Sequence, residues 1–442
     1  MITTADTLIF PRWIIPVVPE GEVLQDHGLA IENGLITAIL PSAELADVAA
    51  AEILTLPEHA LLPGLVNSHG HAPLSLLRGY ADDQPLMPWL EDHIWPAEGQ
   101  HVGPDFVRDG ANLALAEMLR SGTTCFSDMY FFPNIVAQQC QSAGMRCQIS
   151  FPIFDFPSAW GSDADDYISK GLALRDDLKH SELVSVVFGP HAPYTVNEKA
   201  LQKVATLANE LDLPIHIHLH ETEAEVAEAV QATGQRPLAR LNELGLIGPR
   251  TQCVHMTALE DDEIALLAVA GAHVVHCPES NMKLASGRCP VGALAAAGVN
   301  VALGTDSAAS NNDLNMLGEM RSAALLAKLG EGDATALPAA SVLSMATING
   351  ARAMGLQSRI GSLEAGKCAD LIAVDLDRPE SQPVYNPISQ LVYATQAEQV
   401  THSWVNGSAV MLERQLIHMD LAAVMQRVRD WTDTISNTRG KA

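Results

Sequence analysis

The sequence predicts an α/β protein: a (β/α)8 TIM-type barrel beside a small β-sandwich-like domain formed from both chain ends. Two observations carry that expectation. Between residues 61 and 360, eight short apolar runs alternate with longer segments of helical spacing, the grammar of parallel βα units. Before and after that region the pattern switches to short strands broken by turns, and the two β-rich ends pair most simply into one sheet domain. At about 150 residues per domain, length alone suggests about three domains. The pattern reduces these to two units: residues 1–60 with 361–415, and 61–360, followed by a C-terminal helix and tail at 416–442.

Taken in order, LAIENGLITAIL places Asn33-Gly34 between two apolar runs, a strong hairpin signal. The predicted barrel strands are LLPGLVNSHGH (61–71), TTCFSDM (123–129), RCQISFPIF (146–154), LVSVVFGPHAPY (183–194), PIHIHLHE (214–221), TQCVHM (251–256), HVVHCPES (273–280) and NVALGTD (300–306). Amphipathic stretches such as DFVRDGANLALAEMLRSG, NEKALQKVATLANELD and EDDEIALLAVAG lie between them. Further helices follow the eighth run, and strands return in GSLEAGKCADLIAVD and THSWVNGSAVMLE. A helix is expected over about 417–434, with the last few residues as a frayed tail.

Composition excludes several classes. Twenty-six Lys and Arg against 53 Asp and Glu leave a net charge of −27, which argues against nucleic-acid binding. With 48% apolar and 18% charged residues the chain can form a core. No window is long and apolar enough to span a membrane, and the N-terminus lacks a basic, cleavable leader, so no membrane partner or export is expected. Seven scattered cysteines without a CxxC pair fit a reducing cytoplasm rather than a disulfide framework.

The chemistry is concentrated at strand ends. His69 and His71 end the first run, His191 the fourth, His218, His220 and Glu221 the fifth, His255 the sixth, His276 the seventh and Asp306 the eighth. The C-terminal mouth of a barrel is where catalytic groups converge. Residues two apart on a strand point the same way, so His69 and His71 can hold one cation, and imidazoles with one carboxylate suit zinc or iron. Each residue alone has a structural reading; their coincidence on separate strands points to a site. GSLEAGKC mimics a phosphate-binding loop but ends in Cys368 and opens no helix. The acidic run Glu260 to Glu263 is explained by a helix start.

LLPGLVNSHGHAPLSLLRG, HLHE, VHMT, SNMKLASG and LGTDSAASNND together resemble the amidohydrolase superfamily, in its 5′-methylthioadenosine/S-adenosylhomocysteine deaminase branch, over nearly the whole chain. Triazine hydrolases and guanine deaminase look similar. The resemblance implies His69, His71, His218 and Asp306 as metal ligands, Glu221 as proton shuttle and His255 as the group polarising the reactive water, with Asp306 also taking a proton. Spacing alone does not choose among His216, His218 and His220; the family pattern selects His218. Binuclear relatives use a lysine on the fourth strand, absent from LVSVVFGPHAPY, so a single zinc ion is expected, with iron or manganese as alternatives.

The resemblance also places Glu117 on the ribose hydroxyls and His191 against the purine, while Met87, Trp89 and Trp95 suit an apolar wall. Ser307 stands where the family usually has glycine. The implied reaction is hydrolytic deamination of 5′-methylthioadenosine, with S-adenosylhomocysteine and adenosine as further substrates, in a homodimer or tetramer. A carboxylate-bearing substrate calls for an arginine, and the sequence does not place Arg78, Arg146 or Arg288. The alternatives are another aminated heterocycle, a triazine or guanine, and a catalytically silent scaffold.

Overall fold

The computed structural model describes residues 2–438. Eight parallel strands form the barrel: Leu65–Gly70, Thr123–Asp128, Arg146–Ile153, Val184–Pro190, Ile215–Leu219, Thr251–His255, His273–His276 and Asn300–Leu303. All eight predicted runs contain one of them. The ring nearly closes between the first and last strands through an isolated bridge, Gly70 to Asp306. Asn67 assists, accepting from Thr305 N (3.0 Å) and donating to Thr305 Oγ1 (2.7 Å).

The chain ends meet in a second sheet of nine strands. Leu371–Asp375 runs antiparallel to Ala49–Pro63, which joins the C-terminal strands to the N-terminal ones. The Asn33-Gly34 hairpin forms with Glu32 opposite Leu35, and φ of +52° and +79° at the two turn residues matches the turn that this dipeptide favours. The first predicted run divides at Gly64, with Leu61 to Pro63 completing the terminal sheet and Leu65 beginning the barrel. A Cβ on Gly64 would lie 2.0 Å from Thr124 Oγ1, so only glycine lets the chain cross between the sheets here.

Helices cover the barrel as the apolar spacing requires. Pro104–Arg120 starts with proline in its first turn, and Asn197 caps Glu198–Leu211 by accepting from Ala200 N. Glu260 and Glu263 form a capping box on Asp261–Ala270. The C-terminal helix is Leu421–Thr438, later than expected because the sheet continues through Gln415–Leu416 and Asp420 caps the helix start. It docks on Pro104–Arg120 through Trp431, whose indole N–H donates to Asp109. The expected frayed tail, 439–442, lies outside the described residues. All seven cysteines are free and buried, and among the described residues no helix is long and apolar enough to cross a membrane.

Candidate active site

The strand-end residues converge at the C-terminal mouth of the barrel. Parity would put His216, His218 and His220 together, but the structure separates them. His218 faces the mouth. His216 lies a layer deeper, under His69, and His220 leaves the strand with φ +51°, bonded to Ala258 O and Leu238 N. His255 and Asp306 also adopt left-handed backbone, φ +75° and +62°. Such conformations cost of order 1–3 kcal/mol each and persist where surrounding contacts hold them.

Two overlapping groups could hold a cation: His69, His71 and Asp306, and His69, His218 and His255. His69 Nε2 and His71 Nε2 each lie 3.4 Å from Asp306 Oδ1, and His218 Nε2 lies 3.1 Å from His69 Nε2. Tetrahedral zinc with bonds of about 2.0–2.1 Å places its ligand atoms roughly 3.3 Å apart. The donor set also fits chemically. His71 Nδ1 donates to Met129 O (2.5 Å) and His218 Nδ1 to His191 O (2.8 Å), which leaves both Nε2 lone pairs facing inward. Burial pushes His69 and His218 well below the ordinary histidine value, so both are neutral donors at pH 7.

Asp306 is held from behind by hydroxyls of Ser280 (2.7 Å) and Ser310 (2.9 Å). Ser307, the departure from the family glycine, bonds Ser310 N (3.0 Å) and so braces the turn that presents Ser310 to Asp306. Glu221 Oε2 lies 3.7 Å from His255 Nε2, and His255 Nδ1 bonds Asn281 Oδ1 (2.9 Å). Burial raises the Glu221 carboxyl, with His255 opposing, which favours a group that can give a proton as well as take one.

These groups open into a cavity of about 640 Å³. His71, His218, Glu221, His255 and Asp306 lie at one end; Trp89, Trp95, Tyr130, Phe131, Phe154 and Phe156 supply aromatic walls. His191 also lines it, its ring 4.8 Å from that of Phe154, and burial lowers its pKa to about 3. Met87 lies instead on a second, adjoining cavity, because its side chain points outward from Leu86–Trp89 while Trp89 points in.

Glu117 is not among the lining residues. Its carboxylate is held by the Arg78 guanidinium and by Leu314 N (3.0 Å). Away from Glu221 and Asp306, a further acid faces the cavity: Glu98, bonded by the Tyr130 hydroxyl (2.6 Å) and pushed by burial to about 7. Sequence reasoning passed over it inside LMPWLEDHIWPAE, although a carboxylate three residues after Trp95 on an aromatic helix face was the available signal. The three arginines are also placed. Arg78 pairs with Glu117, Arg146 with Asp370 at the opposite end of the barrel, and Arg288 lines the second cavity. Among the described residues no Lys or Arg lines the first.

The amidohydrolase family profile matches residues 60–410. A 5-methylthioadenosine/S-adenosylhomocysteine deaminase from Teredinibacter turnerae is 50% identical over 99% of both chains, and one from Saccharophagus degradans is 50% identical over 99% of this chain and 98% of its own. Among solved structures, an adenosine deaminase from Xanthomonas campestris with bound zinc superposes with a TM-score of 0.97 at 50% identity, covering 99% of this chain and all of that one. An atrazine chlorohydrolase from Arthrobacter aurescens, 23% identical, shares the fold with a TM-score of 0.90 over 96% of this chain and 99% of its own. This chain is an amidohydrolase: it belongs to the amidohydrolase family, in the same branch as these deaminases.

Proposed function

We propose that this protein hydrolytically deaminates 5′-methylthioadenosine, with S-adenosylhomocysteine and adenosine as further substrates, to the inosine analogue and ammonia. The observation that carries the reading is the meeting of four inward-facing cation donors with a buried acid, Glu221, in one aromatic cavity, in a chain half identical to deaminases throughout. His69, His71, His218 and Asp306 would hold one zinc ion. Bound there, zinc supplies Lewis acidity that lowers the pKa of water from about 15.7 towards 7.

The chain's own groups do the rest. Asp306 accepts the proton released from the nucleophilic water. His255, fixed by Asn281, stabilises the attacking oxygen as it adds to C6. Glu221 protonates N1, the proton held by Asp306 passes to the departing amine, and the remaining proton of the added hydroxyl restores Glu221. His191, kept neutral by burial, faces the purine, with Trp89 as part of the apolar wall. Glu98 replaces Glu117 as the acceptor for the ribose hydroxyls. A first cavity without lysine or arginine suits a neutral 5′-group such as methylthio, and the carboxylate of S-adenosylhomocysteine would reach for Arg240 or Arg288 in the adjoining cavity.

Purified, zinc-loaded protein is incubated with the three nucleosides, guanine and a triazine, and ammonia is followed. Release from methylthioadenosine, with S-adenosylhomocysteine and adenosine as further substrates, is the expected result. Release only from guanine or the triazine transfers the reading to those substrates, and none from any leaves a silent scaffold. The buried free thiols support a cytoplasmic location. The family resemblance supports a homodimer or tetramer, which light scattering on the eluting protein reads directly.

A further inference from the structure

Three of the inward-facing histidines need the same preparation: a proton on Nδ1, so that the Nε2 lone pair is free. His71 and His218 obtain it directly from backbone carbonyls. His69 meets no carbonyl; its Nδ1 lies 2.7 Å from His216 Nε2. His216 Nδ1 is 2.9 Å from Gln252 Oε1, Gln252 Nε2 is 2.8 Å from Gln148 Oε1, and Gln148 Nε2 is 3.2 Å from Met354 O. All four side chains are buried in the barrel, and His216 and Gln252 are register partners on adjacent strands.

The far end sets the direction of the whole chain. A backbone carbonyl only accepts, so the Gln148 amide must present its nitrogen to Met354 and its oxygen to Gln252. Gln252 then donates to Gln148 and offers its own oxygen to His216. His216 must carry its proton on Nδ1, its Nε2 is bare, and His69 can only donate to it. The His69 Nε2 lone pair is left aimed at His218 and Asp306. We propose that His216, Gln252 and Gln148 are positioning residues: a buried relay that fixes the tautomer of His69 and thereby its competence as a metal ligand. The proposal rests on the reading of His69 as a ligand.

A purely packing role would be met by apolar side chains of equal volume, since a buried polar network is stabilising only when every member is satisfied. The relay is therefore cut with Gln252→Met and kept with Gln252→Glu, whose carboxyl, held neutral in this buried position, accepts from His216 Nδ1 and donates to Gln148 Oε1. Zinc affinity is measured on folded protein by competition with a chromophoric chelator. Gln252→Met is expected to bind zinc about 10–100-fold more weakly, the usual consequence of losing an outer partner of a metal histidine, while Gln252→Glu stays within about threefold of the parent. Equal affinity in parent and Gln252→Met overturns the relay, as does equal loss in both variants.

If Gln252→Met does not fold, the metal-free parent decides. ¹⁵N shifts of labelled histidines should report His69 and His216 as Nδ1-protonated, and an Nε2-protonated His69 overturns the proposal. Because the readouts are metal binding and tautomer, failure to deaminate any nucleoside would refute the functional reading without touching this one.

Discussion

His69 Nε2 and His218 Nε2 face each other at 3.1 Å although both Nδ1 atoms are already committed elsewhere. Two bare imidazole lone pairs at that separation repel, and a cation between them turns repulsion into coordination. Zinc added to chelator-treated protein should therefore raise its thermal midpoint. A ligand at a thousand times its Kd contributes about 4 kcal/mol to the folded state. His218→Ala should abolish most of that increment in a calorimetric titration, and an unchanged increment would place the cation elsewhere.

Glu221 lies against His255 with its carboxyl raised by burial. Glu221→Gln keeps the shape and removes the ability to cycle a proton. Loss of general acid–base catalysis costs about 10²–10⁴-fold, so kcat should fall by that factor while zinc content, measured by elemental analysis, stays that of the parent. Retained turnover would move the proton shuttle to another group.

Glu98 and Glu117 offer a paired test of the ribose contact. Hydrogen bonds to a charged group contribute about 1.5–3 kcal/mol, so Glu98→Gln should lower kcat/KM for adenosine roughly 10–100-fold. The effect should shrink for 2′,3′-dideoxyadenosine, which has no hydroxyls to lose. Glu117→Gln should act on thermal stability through Arg78 and leave that comparison unchanged.

The contrast between these two glutamates marks where sequence was legible. Strand ends were readable because alternation and apolar runs dictate them, and that brought His69, His71, His218, His255 and Asp306 to one mouth. Glu98 was not, because its helix (Trp95–His101) is short, begins with an irregular turn and depends on contacts with Tyr130, 32 residues away. Glu117 sits on a long regular helix, yet which face of it meets the cavity is decided by Arg78 and the Leu314 loop, neither of which any local pattern reveals. His216 was visible only as one of three equivalent histidines; its depth beneath His69 is a property of barrel tilt.

Asp128 predicts a pH dependence of stability. It is buried, Oδ1 accepts from Ala72 N (2.7 Å), Oδ2 has no partner, and burial raises its pKa from 3.8 to about 7. Between those values the folded state holds a proton that the unfolded state has released, so the contribution of this group is complete below pH 3.8 and is lost as pH rises through about 7. At about 1.4 kcal/mol per unit the loss is on the order of 4 kcal/mol at most. Urea unfolding of metal-free protein should show stability falling across this window relative to Asp128→Asn, which keeps the acceptor for Ala72. Parallel curves for the two proteins would show that Asp128 ionises normally.

Arg146 and Asp370 join the barrel floor to the terminal sheet. Arg146 Nε lies 2.8 Å from Oδ2 and Nη2 lies 3.0 Å from Oδ1, a bidentate pair with both residues at most 3% exposed, and Asp370 Oδ1 also accepts from Asn406 N. Removing one member of a buried pair strands the other charge and costs about 3–5 kcal/mol, whereas replacing both with apolar groups is often near neutral. Asp370→Leu should therefore lower the unfolding free energy by that amount, and Arg146→Met with Asp370→Leu should recover much of it. The double variant should also keep the parent's activity on whichever nucleoside the parent deaminates, because the pair lies at the end of the barrel opposite the candidate site. A double variant that is stable but inactive would show that the terminal sheet shapes the site through this contact.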